Sequence, residues 1–350
     1  MLHLQQRTVK GDADMEITSA FLADMPKIEL HVHLESMMPG DMLERFAARQ
    51  GKRLPRPAGE LYHCSADDLS NFLAFLDSIC AYVGTVEELV QVAEHAALES
   101  RRENILYMET ILNPTHWPQF TVPEIIQAVT AGFDRGEAAD GTDCRFTLSL
   151  SRPQTAEEAM ALVEQMKAHR TPRLASLSVD GNEALTGPTG ERFRPAFLAA
   201  KAAGFGLTVH AGESSGPEGV RDALDLLEAD RLDHGVRAAE DPALLRRLAK
   251  TKTPLNICLT SNLTLLYKRP EDHPLRRLLD AGAAVTLNRD DPTFLDGLTL
   301  TEELRRASSF AAMTGEELLD CQRTAVRAAF CGAETKAALL SALADFEARR

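Results

Sequence analysis

The stretch Lys27-Ile28-Glu29-Leu30-His31-Val32-His33-Leu34-Glu35 is a short apolar run that carries two histidines two residues apart, and it predicts a strand. Residues i and i+2 of a strand project from the same face, so His31 and His33 point the same way and can share one metal ion. Imidazole is a good ligand for zinc-like ions. A single His-x-His pair is equally consistent with two polar residues that only form hydrogen bonds at a strand end. The rest of the chain must therefore distinguish a metal site from a structural pair.

Size and charge limit the class of protein. The chain has 350 residues and a formal net charge of −14, which argues against nucleic-acid and anionic-membrane partners, because both attract basic patches. Nowhere does an apolar run approach the ~18 residues of a membrane span. The six cysteines are scattered, with no C-x-x-C pair, and the polar first 16 residues are unlike a signal peptide. We therefore predict reduced thiols and a cytoplasmic protein.

Strand and helix patterns alternate along the chain. Seven further apolar runs, each followed by a helical pattern, lie at about 105–112, 145–150, 174–179, 206–210, 231–234, 255–259 and 284–288. Such alternation predicts parallel strands, and eight units predict an α/β fold, a (β/α)8 TIM barrel with additional helices, as a single domain over 1–350. A doubly wound open sheet is the main alternative, but no G-x-G-x-x-G follows the first strand. Residues 69–98 predict one long helix.

Four of the predicted strands end in residues suited to metal binding or proton transfer. The residues at these four strand ends are, in chain order, His31 and His33; His210-Ala211-Gly212-Glu213; Asp233-His234-Gly235; and Asn288-Arg289-Asp290-Asp291. Each group alone is explained by a structural histidine or a solvated carboxylate. A barrel, however, gathers the carboxyl ends of its strands at one rim, so the four groups together predict one active site there.

Three imidazoles and one carboxylate form a suitable ligand set for a single zinc ion with an open position for water, namely His31, His33, His210 and Asp290. Zinc lowers the pKa of a bound water toward ~7. Residues 174–183 contain no lysine that could bridge a second metal after modification, which favours one ion.

Neighbouring residues supply candidates for the remaining roles. Glu213 suits general acid or base catalysis, and His234 suits either orienting a hydroxide or taking its proton. Asp291 can meet a polar substrate atom, and the backbone N–H of Gly181 can approach a ligand closely.

These motifs, with Asp180-Gly181-Asn182-Glu183 and Thr260-Ser261-Asn262, resemble the adenosine/adenine deaminase family of metal-dependent barrel hydrolases. The resemblance implies hydrolytic removal of the 6-amino group of a purine, with zinc-bound hydroxide attacking C6 and ammonia leaving. It implies that Glu213 protonates ring N1 and that His234 orients and deprotonates the water. Asp291 would meet the N7 side of the purine, and Gly181 would donate its N–H to N3.

Three positions bear on the substrate. Ser36 replaces a glycine usual in the family and is expected to intrude on substrate approach, whereas Arg289, by strand alternation, should point away from Asp290. Glu35 is a predicted substrate-binding residue; adenosine-acting members usually have aspartate there, and free-base members tend to have glutamate. Adenosine, adenine and a modified aminopurine all remain open as the small-molecule substrate, and the oligomeric state is not predicted.

Two other functions compete with this one. A different hydrolase on the same scaffold would act on another cyclic amidine or amide, and a non-catalytic relative would bind purine or metal without turnover. The small-fold zinc deaminases are excluded because the chain has no P-C-x-x-C. The remaining histidines of the predicted barrel are interpreted as surface or structural residues: His63, His95, His116, His169 and His273.

Overall fold

The computed structural model describes residues 16–62 and 69–350, so the prediction for His63 lies outside the described residues. Within that part, eight parallel strands follow one another in chain order around a barrel. They are β1 (Lys27–His33), β2 (Ile105–Leu112), β3 (Asp143–Ser151), β4 (Leu174–Asp180), β5 (Gly206–Ala211), β6 (Arg231–His234), β7 (Leu255–Ile257) and β8 (Val285–Leu287). The (β/α)8 barrel is confirmed.

Helices surround the strands and extend the carboxyl-terminal part. Those in the described residues are α1 (Ser19–Asp24), α2 (Gly40–Arg49), α3 (Leu69–Cys80), α4 (Val86–Arg102), α5 (Val122–Ala138), α6 (Ala156–Ala168), α7 (Glu183–Thr186), α8 (Gly190–Ala202), α9 (Pro217–Asp225), α10 (Pro242–Thr251), α11 (Leu259–Leu265), α12 (Leu275–Asp280), α13 (Leu300–Ala311), α14 (Gly315–Ala328) and α15 (Ala333–Glu347). None of them combines the length and the apolarity needed to cross a bilayer.

The prediction of one helix over residues 69–98 is wrong, because the structure has two helices there. α3 ends at Cys80, and α4 starts anew after Thr85. The Thr85 hydroxyl accepts a hydrogen bond from the Glu88 N–H, and the Glu88 carboxylate accepts one from the Thr85 N–H. This capping box satisfies the free N–H groups of a helix start and sets the boundary. The break leaves α3 free to pack over the carboxyl ends of the strands.

A second difference lies after β7. The predicted strand over 255–259 ends at Ile257, and Leu259 already begins α11. This helix carries the Thr260-Ser261-Asn262 motif, which the strand–helix alternation did not assign to a helix. The shorter strand turns the motif inward at the carboxyl rim, where its side chains are almost fully buried.

The barrel closes between β8 and β1 at the rim that carries the candidate site. The His33 N–H donates to the Asp290 carbonyl oxygen at 2.9 Å, and the Asp290 N–H donates to the His31 carbonyl oxygen at 3.2 Å. Deeper along the seam, side chains replace ladder bonds. The Asn288 amide oxygen accepts from the Leu30 N–H at 2.9 Å, and the Gln322 amide oxygen on α14 accepts from the Ile28 N–H at 2.7 Å.

Candidate active site

Four polar side chains from three strand ends converge on one point. His31 Nε2 lies 3.0 Å from Asp290 Oδ1, and His33 Nε2 lies 3.4 Å from the same oxygen. The Nε2 atoms of His33 and His210 are 3.2 Å apart. Ligand atoms of the three histidines all lie within 4.8 Å of one another. The structure thus brings together the four side chains that the sequence analysis selected as ligands.

The cluster has the spacing and the chemistry of a zinc site. Zinc–nitrogen bonds of about 2.0–2.1 Å in a tetrahedron place neighbouring ligand atoms about 3.3 Å apart, close to the separations in this cluster. Nitrogen atoms of two imidazoles that face each other with lone pairs repel unless a proton or a cation lies between them. Three imidazoles with one carboxylate are also ligands that zinc prefers. The residues present therefore fit one zinc ion.

Asp233 near the end of β6 orients His31 and lies close to His210. Its Oδ1 is 2.9 Å from His31 Nδ1, and its Oδ2 is 3.6 Å from His210 Nδ1. An acceptor at Nδ1 fixes the proton there and leaves the Nε2 lone pair facing the cluster, as in many carboxylate–histidine–metal sites. Sequence reasoning assigned Asp233 no role. The signal was present, because a strand-end carboxylate beside a predicted ligand is a natural orienting group.

Left-handed backbone at two strand ends directs the site residues. Asp290 has φ +65° and His234 has φ +63°, a region that residues with a Cβ seldom adopt. Asp and His tolerate it better than β-branched residues, and such strain persists where the surrounding structure holds it in place. At Asp290 the restraint is the pair of backbone bonds to β1, so barrel closure and ligand placement are the same local event.

Glu213 is a buried carboxyl that the structure keeps protonated near neutral pH. Burial raises its pKa to about 8, assisted by the negative charges of Asp290 and Glu183. The Glu183 carboxylate accepts from the N–H groups of Gly212 at 3.1 Å and Glu213 at 2.9 Å, and Arg152 lies 3.5 Å from it. Glu183 and Arg152 thus hold the loop that presents Glu213, a function that sequence reasoning did not assign to them.

His234 is held by a chain of hydrogen bonds that defines which ring nitrogen carries its proton. The His273 Nδ1 accepts from the Leu275 N–H at 3.3 Å, so its Nε2–H donates to the Asn262 amide oxygen at 3.2 Å. The Asn262 amide nitrogen then donates to His234 Nδ1 at 3.1 Å. Burial lowers the pKa of His234 to about 4, so the ring is neutral and its proton is on Nε2. That nitrogen lies 3.6 Å from Glu213 Oε1.

The comparison with protein families agrees with this geometry. The family model described as adenosine deaminase matches residues 26–346. The chain belongs to the adenosine deaminase family. It is 33% identical over 335 residues to an adenine deaminase of Rhodospirillum rubrum, an alignment that covers 94% of this chain and 99% of the relative. An adenine deaminase of Sinorhizobium medicae is also 33% identical, with 92% of this chain and 99% of the relative covered.

Solved structures of similar proteins share the barrel. An amidohydrolase from Burkholderia ambifaria, crystallised with bound zinc, is 28% identical and superposes with a TM-score of 0.87 over 95% of this chain and 94% of its own. The adenine deaminase from Arthrobacter aurescens superposes with a TM-score of 0.85 at 24% identity, over 92% of this chain and 99% of its own, a likeness of fold.

A small cavity opens onto the histidine cluster of this deaminase-family barrel. Its polar lining includes Asp180, Gly181, Glu213 and Asp291, and its far wall is apolar, formed by Leu69, Phe72, Leu73 and Leu76 of α3. His116 also lines the cavity, and its Nδ1 lies 2.5 Å from Asp77 Oδ1. Its interpretation as a surface or structural residue, based on its isolation in the sequence, did not place it at the cavity. A larger cleft at the opposite end of the barrel has Gly206 and Ala284 in its wall and none of the candidate residues.

Glu35, the last residue of the first motif, and Ser36, which follows it, are not among the residues that line the cavity. Glu35 is fully buried, and its Oε1 accepts from the Asn113 N–H at 2.8 Å and from the Trp117 indole N–H at 3.1 Å. Its predicted contact with substrate stays a prediction. The Ser36 hydroxyl donates to the His33 carbonyl oxygen at 2.8 Å and also lies within hydrogen-bonding reach of the Asp291 carboxyl. Its expected effect on substrate approach stays a prediction.

Arg289 points away from the cavity, as strand alternation predicted. Its guanidinium pairs with Glu29 at 2.6 Å and with Glu103 at 2.8 Å. Asp291, the next but one residue, does line the cavity and is almost fully buried. Burial, together with the charge of Asp290, raises the pKa of the Asp291 carboxyl well above its usual range.

Proposed function

We propose that this chain is a zinc-dependent hydrolase, formed by a single barrel domain over residues 1–350, that removes the 6-amino group of an adenine-type aminopurine and releases ammonia. The observation that carries the proposal is one cavity lined both by His33, His210 and Asp290 of the ligand cluster and by a buried acid, Glu213, protonated at neutral pH. The adenine deaminases among its full-length relatives support the same chemistry. Cytoplasmic residence and the absence of nucleic-acid partners stay predictions from composition.

Zinc would be held by His31, His33, His210 and Asp290. When bound there, the ion supplies a nucleophilic water at neutral pH by lowering its pKa. Asp233, 2.9 Å from His31 Nδ1, favours the His31 tautomer that can ligate.

Glu213 donates a proton to ring N1 as the amino-bearing carbon becomes tetrahedral. A carboxyl whose pKa lies near 8 holds this proton at pH 7 and can release it to a ring nitrogen that gains electron density. Protonation of N1 prevents negative charge from building on the purine. The ionised Glu213 can then take the hydroxyl proton from the tetrahedral carbon and pass it to the amino group, which leaves as ammonia, and Glu213 regains its own proton from the next water. Glu183 and Arg152 fix the position of the acid.

His234 orients the attacking oxygen by donating a hydrogen bond to it. Of the two roles that the sequence left open, this one is supported by the network, because Asn262 occupies Nδ1 and the proton on Nε2 leaves no lone pair to act as a base. A neutral imidazole that donates from a fixed position places a reacting atom without accepting charge.

Asp291 and Gly181 would orient the purine. A carboxyl whose pKa is raised by burial is a hydrogen-bond donor, which suits the purine N7, a pure acceptor. Gly181 has φ +104° and no Cβ, so its backbone N–H can approach N3 closely.

The proposal is tested with purified protein, its zinc content and ammonia release from adenine, adenosine, N6-methyladenine, a pterin and cytosine. We expect about one zinc per chain, turnover of an aminopurine, loss of activity with a chelator and recovery with added zinc. The substitution Glu213→Gln should keep the zinc and lower kcat by at least ~100-fold, the scale of a lost general acid.

Three results would contradict it. Near-normal activity of Glu213→Gln would remove the assigned acid. Stoichiometric zinc without turnover of any aminopurine would indicate a binding protein, and ammonia release from the pterin or cytosine alone would indicate another cyclic amidine hydrolase.

A further inference from the structure

Gly181, the residue proposed to meet N3 of the purine, lies where the backbone can change direction easily. It follows the last residue of β4 and has φ +104°, and a glycine exchanges between such conformations at little cost. Its N–H has no acceptor within residues 16–62 and 69–350, and the residue lines the cavity. A donor of this kind serves a ligand only if another group fixes its direction.

Arg152, the first residue after β3, holds the two peptide groups that flank Gly181. Its backbone N–H donates to the Asp180 carbonyl oxygen at 3.1 Å, and its side-chain Nε donates to the Gly181 carbonyl oxygen at 3.2 Å. The carbonyl of Asp180 and the N–H of Gly181 belong to one trans peptide group, so they point in opposite directions. Because this carbonyl is anchored on the β3 side, the Gly181 N–H is turned away from β3.

The guanidinium of Arg152 is itself held in place. The side chain is 3% exposed, its Nη2 donates to the carbonyl oxygen of the candidate ligand His210, and the same nitrogen lies 3.5 Å from Glu183 Oε1. The Arg152 carbonyl oxygen in turn accepts from the Arg192 guanidinium. A planar guanidinium holds several acceptors in one geometry, which the ammonium of a lysine does not reproduce. One side chain thus connects the strand end that carries a candidate zinc ligand to the peptide groups around Gly181.

We propose that Arg152 is a positioning residue for purine recognition, which holds the Gly181 N–H in the direction that meets N3. This inference rests on the proposed function, which places N3 at Gly181. It gives Arg152 a second task beside its support of the loop that presents Glu213, and the two tasks predict different losses. Loss of the loop support affects every ligand of the cavity, whereas loss of the Gly181 direction affects only ligands that have an acceptor at position 3.

The test compares hypoxanthine, the 6-oxopurine that the proposed reaction forms from adenine, with 3-deazahypoxanthine, in which a C–H replaces N3. Neither ligand is consumed, so calorimetry on the zinc-loaded protein measures both affinities. We expect the wild-type protein to bind hypoxanthine about 10-fold more tightly, the scale of one hydrogen bond whose donor is otherwise left unpaired. In Arg152→Lys this preference should fall below about 3-fold, chiefly through weaker hypoxanthine binding, because an ammonium does not hold the Gly181 and His210 carbonyls together.

Arg173→Lys is the matched control. Arg173 directly precedes β4, is 6% exposed, and its guanidinium also holds a backbone carbonyl, that of Cys144 at 3.0 Å, but at the opposite end of the barrel. This variant should keep the wild-type preference for hypoxanthine even where its stability is lower. Arg152→Gln is a second variant, whose single amide can donate to one of the two carbonyls but not to both, and it should show the same loss of preference. Zinc content is measured for every protein.

The outcomes separate this inference from the proposed function. If the Arg152 variants lost affinity for both ligands equally, so that the preference stayed at its wild-type value, Arg152 would have a structural role only and the inference would be overturned. Equal affinities in the wild-type protein would overturn it as well, whatever the stability of the variants, because N3 would have no donor to meet. The proposed function would stand in both cases. A zinc-loaded wild-type protein that bound neither 6-oxopurine would contradict the proposed function, and this inference with it.

Discussion

At the scale of single residues, strand-end position made the candidate ligands predictable. His31, His33, His210 and Asp290 each lie within a few residues of a strand terminus, and a barrel brings such termini together whatever the sequence between them. The groups that support them were not predictable in the same way. Asn262 and His273 reach His234 from α11 and from the segment before α12, and their contacts depend on how those elements pack.

The hydrogen-bond chain onto His234 can be reversed by one isosteric substitution. In Asn262→Asp the carboxylate accepts from Nδ1–H, which moves the imidazole proton away from Nε2 and removes the donor that orients the reacting oxygen. We expect kcat/KM to fall by at least ~100-fold with zinc content unchanged, because the wrong tautomer is as damaging as a lost side chain. Metal analysis and steady-state kinetics on the same sample check both parts.

Asn104→Asp is the control for this change. Asn104 lies before β2 at the opposite end of the barrel and has φ +59°, which aspartate tolerates well. Its activity should match the wild type. If Asn262→Asp were equally active, His234 would not need its Nε2 proton, and the base role left open by the sequence would regain support.

At the scale of elements, helix and strand periodicity located the barrel units, and local chemistry decided where they end. The apolar pattern continues from α3 into α4, but Gly84 and the Thr85–Glu88 capping box interrupt the helix there. α11 was not recognised because it is short and follows directly on β7. Its start is stabilised from a distance, by a carboxylate on α13 that lies more than 40 residues later in the chain.

That carboxylate, Glu303, makes the placement of α11 depend on pH. Its Oε1 accepts from the Thr260 N–H at 3.2 Å, and its Oε2 accepts from the Thr260 hydroxyl. Burial raises the pKa of Glu303 from the usual 4.5 to about 7. Between these values the folded protein retains a proton that the unfolded chain releases. The free energy of unfolding therefore falls as pH rises from about 4.5 to 7 and stays lower above it, by up to ~3 kcal/mol.

Glu303→Gln mimics the protonated carboxyl and should remove this dependence. We expect it to match the wild type at pH 5 and to be more stable at pH 8, measured by urea unfolding at both pH values. Glu302→Gln is the neighbouring control. Arg305 and Arg306 lower the pKa of Glu302 to about 2, so it is ionised at both pH values and its substitution should have the same small effect at each. Glu213, whose pKa is also raised, contributes equally to both proteins, so the test is the difference between them. If Glu303→Gln differed from the wild type by the same amount at pH 5 and pH 8, Glu303 would not be the titrating group.

At the scale of the whole molecule, the metal cluster and the barrel seam are one structure. Strand alternation predicts that a barrel closes, but it does not show that Asp290 itself makes the closing bonds. Nor does it reveal that helix α14, outside the barrel, completes the seam with a side chain. The Ile28 N–H is fully buried, and the Gln322 amide oxygen accepts from it at 2.7 Å across 294 residues of sequence. Long-range closure of this kind depends on tertiary packing alone.

Gln322→Met tests how much that seam bond contributes. Methionine has a similar length and no strong acceptor, so the Ile28 N–H would be left buried and unpaired, at a cost of about 1–3 kcal/mol. We expect urea unfolding to show this loss, with faster hydrogen exchange at the Ile28 amide, since β1 would open from the seam before the rest of the barrel. Gln127→Met on the exposed face of α5 is the matched control and should change stability by less than ~0.5 kcal/mol. If the two variants were equally stable, closure would depend on the Asp290 backbone bonds and not on α14.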